Sequence, residues 1–488
     1  MLLLIFILGI LIRFLAIYPA QVIIGFDQAR DLFDAQKIIA GDLRIIGPTA
    51  GNNPNLHHGV AFLYTLIPPL LLNKNPFYPA LWLSLVNAGA IVVLYFLAKS
   101  LFKSARAGLV AAFLASISHY FISYSGWISN PGPTLLTVPL FFYGIWKYSK
   151  SPASPAGGWG LPLASFFLGL TIQYELFFLY LIPTGLIIWL IFRLKFPNFK
   201  NLAFAFLAFC ISASTMIAAE IKYGFAGAKS LLTAGESVGG AQRLDFVSQF
   251  VQRFFTTFSE TLLPTWPKAG IFIGLLAILL LIYRKQWFVL VYLFSPAIML
   301  LLGYHNAPWF LIGLPPAIIL TAAFLLTKIK SNLLLLAVLA FLAFANLTAK
   351  GELLGPDKSA LLAKQIAAME YTYQKAGGQA FAIDTVTNPL YINAVWAWNY
   401  NWYAQKFGYE PTWLGGDQLP PYNTLDKATG TEKYLFLIID ETPRIPYPHV
   451  LSAIATMEKK GKLVEEKEFD GIKVMMFEKT TKKLSNFK

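Results

Sequence analysis

Long apolar runs recur through the first 349 residues of the chain, and short polar stretches separate them. A helix needs about 20 apolar residues to cross the hydrocarbon core of a membrane, and fewer at the margin. The stretch 59–72 is short and is broken by two prolines, so we interpret it as a juxtamembrane or re-entrant helix. The remaining runs predict about eleven transmembrane helices, at 3–24, 79–98, 107–123, 133–147, 160–173, 176–192, 202–219, 269–283, 287–303, 309–326 and 332–348.

Basic residues orient these helices. Twelve Lys or Arg and no carboxylate lie in five short loops: Lys99/Lys103/Arg106, Lys147/Lys150, Arg193/Lys195/Lys200, Arg284/Lys285 and Lys328/Lys330. Loops rich in Lys and Arg stay on the cytoplasmic side. All 25 acidic residues can then be placed on the opposite side. We therefore predict a multi-pass protein of the cell (plasma) membrane, with its carboxylates facing outward.

The pattern changes after residue 349, where the long apolar runs stop and 16 of the acidic residues lie. Helices are predicted at 358–376 and 447–460, and strands at 379–386, 434–440, 462–469 and 472–478. An aromatic stretch through Trp396, Trp398 and Trp402 lies between the first two strands, with no helix or strand assigned to it. We expect a polytopic α-helical membrane domain at 1–349 and an extracytoplasmic α/β domain at 350–488. In the outer loop 220–268, phenylalanines at four-residue spacing predict a helix lying on the outer leaflet, in a lid-like loop.

Composition narrows the function classes. With 56% hydrophobic and 13% charged residues, the chain is no soluble domain. The net charge of +14 fits the cytoplasmic loops and an anionic lipid surface, so no nucleic-acid partner is expected. One cysteine excludes an intrachain disulfide. No Walker-type loop, HExxH or Asp-x-Asp occurs, so ATP-driven transport is not indicated, no cofactor is firmly implied, and a divalent metal is not signalled.

The first outer loop, 25–78, holds the densest set of reactive side chains. Asp27, Arg30, Asp31 and Asp34 fall at i, i+3, i+4 and i+7, so they share one face of a predicted helix. That face is either a solvated surface with a capping aspartate, or a site for a lipid with a charged head. A carboxylate can take a proton from an attacking hydroxyl, and Arg or His can hold a phosphate.

The same loop continues into His57-His58, preceded by Asn53, whose amide suits a sugar hydroxyl. Further polar residues lie at the outer ends of predicted spans: Asn130, Glu175, Glu220 and His305. Each by itself is typical of an interface, but together they would line one outward cavity and bind substrate. Arg13, inside the first span, either reaches the outer headgroups or points into the helix bundle toward a phosphate.

These features resemble the GT-C superfamily of membrane glycosyltransferases, in particular its protein O-mannosyltransferase and aminoarabinose-transferase branch. The resemblance covers the topology of the whole chain, with its local motifs in residues 25–72. The motifs are Asp27-Gln28, Gly41-Asp42-Leu43 and His57-His58-Gly59 before Phe62-Leu63-Tyr64. Gln28 replaces the commoner Glu of that branch, and its Lys-Pro-Pro is absent.

The resemblance implies an inverting transfer of a sugar from a polyprenyl-phosphate donor to an acceptor hydroxyl on the outer face. Asp27 or Asp31 would act as the base, and Arg30, His57, His58 and Arg13 would bind the donor phosphate. The acceptor (a protein, a lipid or a glycan) is not indicated. Three other interpretations stay open: a secondary transporter, a non-catalytic cell-envelope scaffold, and a polymerase or ligase of lipid-linked glycans.

Overall fold

Helices make up most of the chain in the computed structural model, which describes residues 1–50, 53–150, 158–234, 240–302, 308–349, 357–417 and 422–479. The described α-helices are α1 Leu2–Ile17, α2 Phe26–Ile39, α3 Ala61–Thr65, α4 Ile67–Leu72, α5 Phe77–Phe102, α6 Ala105–Ile117, α7 His119–Ser125, α8 Thr134–Lys150, α9 Gly160–Tyr174, α10 Leu181–Ile191, α11 Phe199–Ser212, α12 Ser214–Lys222, α13 Ala226–Ala234, α14 Gly240–Leu262, α15 Ala269–Tyr283, α16 Trp287–Phe294, α17 Pro315–Leu326, α18 Asn332–Leu347, α19 Leu362–Ala376, α20 Ala394–Tyr403 and α21 Tyr447–Glu458.

The chain folds into two compact units, each built from three segments. The first unit comprises Met1–Ala16, Leu43–Thr65 and Leu81–Leu354, and the second comprises Ile17–Asp42, Leu66–Ala80 and Gly355–Lys488. The second unit thus combines two parts of the first outer loop with the tail, although they are far apart in sequence. The assignment of separate functions to 1–349 and 350–488 stays a prediction.

The first unit has the helices of a membrane protein. Within the described residues, α5 is long and apolar enough to cross a membrane alone, and the bent pairs α6–α7 and α11–α12 qualify if each counts as one span. Seven shorter apolar helices of 10–17 residues accompany them. The predicted count of eleven spans is therefore not confirmed. Hydropathy detects apolar runs, but it does not detect the backbone breaks that divide them.

Buried polar side chains satisfy the backbone where the two bent pairs break. Between α6 and α7 the Arg13 guanidinium donates to the carbonyl oxygens of Ala115 (3.0 Å) and Ser116 (3.3 Å), and the side chain of Asn346 accepts from the His119 N–H (2.8 Å). Between α11 and α12 the Gln173 amide donates to the Ser212 carbonyl oxygen. Because lipid offers no hydrogen bonds, a break in a membrane helix needs such partners.

The second unit contains a mixed five-stranded sheet. Its strands are β1 Phe381–Val386, β2 Thr412–Trp413, β3 Tyr434–Asp440, β4 Gly461–Glu468 and β5 Ile472–Lys479, in the order β2-β1-β3-β5-β4. Strands β2, β1 and β3 are parallel, whereas β5 is antiparallel to both β3 and β4. The central strand β3 is buried along its length, as expected for a strand covered on both faces. Met457 of α21 packs in the core on one face, and Tyr373 of α19 contacts Phe381 on the other.

The predicted tail helices and strands are confirmed to within a few residues. The aromatic stretch that had no predicted structure forms α20, in which Trp396 and Trp398 are buried. One prediction outside the tail is wrong. The phenylalanine face of α14 does not lie on a membrane surface, because Phe250, Phe254 and Phe258 are buried in the core of the first unit. The lid-like role of 220–268 stays a prediction.

Candidate active site

Helix α2 presents the acidic and basic face predicted from the sequence. The helix begins after Gly25, whose N–H donates to the side-chain oxygen of Gln28 (3.0 Å). Gln28 therefore closes the first turn by binding back to the residue before the helix, as Glu or Gln does in a capping box. Its presence in place of the commoner Glu is thus accounted for by a structural role, which needs an acceptor oxygen but no charge.

Three charged side chains form a chain along this face. The Arg30 guanidinium donates through Nε to Asp31 Oδ1 (2.9 Å) and through Nη1 to Asp27 Oδ1 (2.6 Å). The Asp31 side chain is only 2% exposed, whereas that of Asp27 is 64% exposed. The buried Asp31 carboxylate therefore holds the Arg30 guanidinium in place, and Arg30 in turn holds the exposed carboxylate of Asp27. Asp34 lies one turn further along, 3.8 Å from the Lys37 ammonium.

Burial changes the pKa of the Asp31 carboxyl. Loss of hydration raises the pKa of Asp31 to about 7, although the charge of Arg30 and the hydrogen bond from it act in the opposite direction. Near neutral pH the Asp31 carboxyl therefore gains or loses its proton, and its ion pair with Arg30 exists only in the deprotonated form. The orientation of Arg30, and through it that of Asp27, becomes sensitive to pH in this range.

The tail supports α2 within the second unit. The Phe33 ring packs edge-to-face on Trp398 of α20, with centroids 5.0 Å apart, and Phe26 contacts Tyr422. Just before the helix, the Ile24 carbonyl oxygen accepts from the amide of the buried Gln365 (2.9 Å). The sequence did not reveal these contacts; the aromatic residues near 400 were the only signal for them.

A second group of polar residues lies in the first unit, at the C-terminal end of α9. Gln173 binds the break between α11 and α12, Tyr174 shares a hydrogen bond with Thr65 (3.0 Å), and Glu175 Oε2 lies 3.5 Å from His58 Nδ1. Burial raises the pKa of Glu175 well above its usual range. These consecutive side chains therefore hold the end of the first outer loop against the helices of this unit.

His58 lines a cavity of about 250 Å³ between this loop and helices α12 and α13. Its other walls include His57, Glu220 and Tyr223. The volume is slightly below that of pockets for drug-sized ligands, roughly 300–1,000 Å³. Glu220 also has a structural role, because its carboxylate accepts from the Ala228 N–H in the first turn of α13 (3.1 Å). The structure thus brings His57, His58 and Glu220 together, with Glu175 behind His58.

His57 is held by the backbone of its own loop. Its Nδ1 lies 3.1 Å from the Gly47 carbonyl oxygen, and its Nε2 lies 2.9 Å from the Pro54 carbonyl oxygen. A neutral imidazole has one N–H and can donate to only one of them, whereas the imidazolium donates to both. His57 therefore fixes the loop through its contacts with these two carbonyl oxygens.

The other predicted site residues lie apart from this cavity. Arg13 is fully buried and points into the helix bundle, where it also donates to Asn87 Oδ1 (3.0 Å) and to the Gly9 carbonyl oxygen (3.0 Å). These bonds favour a structural role over phosphate binding. Asn53 accepts from the Asn55 N–H and shapes the loop, and Asn130 is buried in the turn before α8. His305 lies outside the described residues.

The sequence did not reveal a partly buried polar cluster in the first unit. Arg253 and Glu260 of α14 form an ion pair (3.1 Å), and their charges act on the hydroxyls of Tyr120 and Tyr124 in α7. Among the residues that the structure describes, Arg253 Nε and Glu260 Oε2 have no hydrogen-bond partner. The i, i+7 spacing on an amphipathic helix was the available signal. Across the described residues, no three His, Cys, Asp or Glu side chains are placed to hold a metal ion.

Comparison with known proteins gives a fold. No protein-family model and no curated protein sequence matches the chain. Among solved structures, apo ArnT from Cupriavidus metallidurans aligns with a TM-score of 0.60 and 11% identity, over 97% of each chain. The structure of the same ArnT bound to undecaprenyl phosphate aligns with a TM-score of 0.58 and 10% identity, again over 97% of each chain. At these identities the likeness shows the fold alone, and the chain shares the fold of ArnT over its whole length.

Proposed function

We propose that the chain is an inverting glycosyltransferase, which moves a sugar from a polyprenyl-phosphate-linked donor to an acceptor hydroxyl on the outer face of the membrane. The solved ArnT structure that shares this fold from end to end holds undecaprenyl phosphate, which supports a donor of that lipid class. Twelve basic residues in loops without carboxylates support the outward orientation of the acidic residues.

The proposal rests on one observation: Asp31, Arg30 and Asp27 are joined in series by hydrogen bonds. A base must be exposed to its substrate, and Asp27 is the exposed member. The base must also be held in position, which Arg30 does through a 2.6 Å hydrogen bond. Asp31 is too deeply buried to reach a substrate, so we assign it the positioning of Arg30 rather than the role of base that the sequence analysis left open to it.

The reaction is a single displacement. The acceptor oxygen forms a bond to the anomeric carbon as the bond from that carbon to the phosphate oxygen breaks. The electron pair leaves with the lipid phosphate, and Asp27 takes the acceptor proton. One displacement inverts the anomeric centre, whereas retention requires a second carboxylate as nucleophile.

Cations must neutralise the departing phosphate. We assign that role to the cavity lined by His57 and His58, the residues that the resemblance implies for the donor phosphate. The Leu176 N–H donates to His58 Nδ1 (3.4 Å), and Glu175 Oε2 lies 3.5 Å from the same nitrogen, so the segment that follows α9 orients the imidazole. Arg13 makes four hydrogen bonds within the protein, so we leave it out of the reaction.

The test uses the full chain in lipid discs, offered a panel of radiolabelled polyprenyl-phosphate monosaccharides together with a cell-envelope extract. We expect the wild type to consume one donor, and Asp27→Asn to lose at least a hundredfold in rate, the lower end of the effect of a general base. Asp245→Asn, which removes an exposed carboxylate from α14, is the matched control and should keep full activity. If no donor is consumed, or if both variants act alike, the proposal is wrong and the scaffold and transporter interpretations gain support.

A further inference from the structure

A groove distinct from the His58 cavity lies along the opposite end of the α11–α12 pair. It has a volume of about 540 Å³ and is lined by α11 together with the start of α9. One end is polar, with Lys200, Asn198, Asn201 and Trp159. The wall beyond it is apolar, formed by Phe204, Leu207, Ala208 and Ile211.

The groove is therefore amphipathic along its length. Residues 200, 204, 207–208 and 211 follow one face of α11, so the groove extends for about 16 Å at 1.5 Å per residue. The Lys200 ammonium lies over the Phe204 ring, 5.9 Å from its centroid, at the point where the polar end meets the apolar wall. A single acyl chain beneath a charged headgroup matches this distribution of polar and apolar surface.

The electrostatics of the polar end select the headgroup. Arg193 and Lys195 lie in the loop before α11, Lys200 lies in the first turn of α11, and no Asp or Glu occurs between Glu175 and Glu220. Tyr148 donates to the Lys195 carbonyl oxygen (2.7 Å), so part of this loop is held against α8. Trp159 is exposed beside it, as aromatic residues commonly are at the membrane–water interface. Three cations close together in sequence with no carboxylate among them attract anions.

We propose that this groove binds an anionic phospholipid, with its phosphate at Lys200 and one acyl chain along Phe204, Leu207 and Ile211. The site lies on the side of the basic loops, whereas the His58 cavity is lined by α12, beyond the break at Ala213. A lipid bound along α11 would fix the helix that leads into that break. The proposal does not depend on the transferase activity.

The test titrates dioleoylphosphatidylglycerol and dioleoylphosphatidylcholine into delipidated full-length protein in detergent, with bound lipid counted by native mass spectrometry. We expect at least fivefold tighter binding of phosphatidylglycerol. Lys200→Gln should weaken phosphatidylglycerol binding about fivefold, the effect of one cation near an anionic lipid, and leave phosphatidylcholine unchanged. Lys330→Gln removes the same charge from another basic loop and should have no effect.

A second variant tests the apolar wall. Ala208→Phe fills the groove without changing charge, so it should reduce the binding of both lipids. Equal binding of the two lipids by the wild type, or equal effects of Lys200→Gln and Lys330→Gln, would overturn the proposal in favour of general surface attraction. Unchanged binding by a folded Ala208→Phe would place the lipid elsewhere; if that variant does not fold, the comparison of the two lysine variants decides.

Discussion

Replacing Asp31 by Asn should make the protein more stable at alkaline pH while reducing its activity. The carboxyl is buried, and its pKa is raised from 3.8 to about 7 in the folded protein. A raised pKa means that the folded state favours the protonated form. The contribution of Asp31 to the free energy of unfolding is therefore fully present below pH 4. It falls as the pH rises toward 7 and stays low at higher pH.

The magnitude follows from the difference between the two pKa values. About three units at 1.36 kcal/mol each correspond to about 4 kcal/mol of lost stability above pH 8. Asparagine resembles the protonated acid and can still accept the hydrogen bond from Arg30 Nε. Asp31→Asn should therefore be more stable than the wild type by up to about 4 kcal/mol at pH 8, and nearly equal to it at pH 4.

A matched control exists in the same unit. Asp440, at the end of β3, is partly buried, and loss of hydration likewise raises its pKa to about 7. Asp440→Asn should stabilise the protein at pH 8 in the same way. It lies in the sheet rather than on α2, so it should leave transferase activity unchanged, whereas Asp31→Asn should lower it by weakening the hold on Arg30.

The assay is thermal unfolding of the purified protein followed by tryptophan fluorescence at pH 5 and pH 8, because Trp396, Trp398 and Trp413 are buried in this unit. A gain of several degrees at pH 8 for both variants, and a smaller gain at pH 5, would agree with the reasoning. A lower unfolding temperature of Asp31→Asn at pH 8 would refute it. That result would mean that the attraction of Arg30 exceeds the cost of burying the carboxylate.

Three further predictions concern packing, the cavity and the helix break. Trp398→Leu should destabilise the second unit by about 2–4 kcal/mol in unfolding assays, because it loses packing against α2. In initial-rate assays it should lower kcat more than it lowers the affinity for the donor. Gly227→Ala should weaken donor binding with little change in kcat, because a Cβ there would overlap the Glu220 carboxylate that lines the cavity; unchanged KM in rate assays would contradict it. Arg13→Met should destabilise the first unit by about 3 kcal/mol or more, because it leaves backbone carbonyls unpaired at the break between α6 and α7. Arg13→Lys should retain part of that stability, and unfolding assays in detergent measure both variants.

The candidate site shows where sequence reasoning was sufficient. Helical spacing alone placed Asp27, Arg30 and Asp31 on one face, and in the structure Arg30 hydrogen-bonds to both carboxylates. Spacing could not rank them, because it does not report burial. Only the tertiary structure separates the exposed carboxylate from the buried one.

The sequence by itself determined the features that depend on local pattern: the apolar helices, the basic loops, the polar face of α2 and most strands of the tail. Tertiary structure alone decided that α2 packs on α20, that Arg13 binds the ends of broken helices, and that Glu175 faces His58. These contacts join residues separated by tens to hundreds of positions. Local periodicity is set by the geometry of one helix or strand, whereas such pairings depend on which buried groups must find a partner in the folded chain.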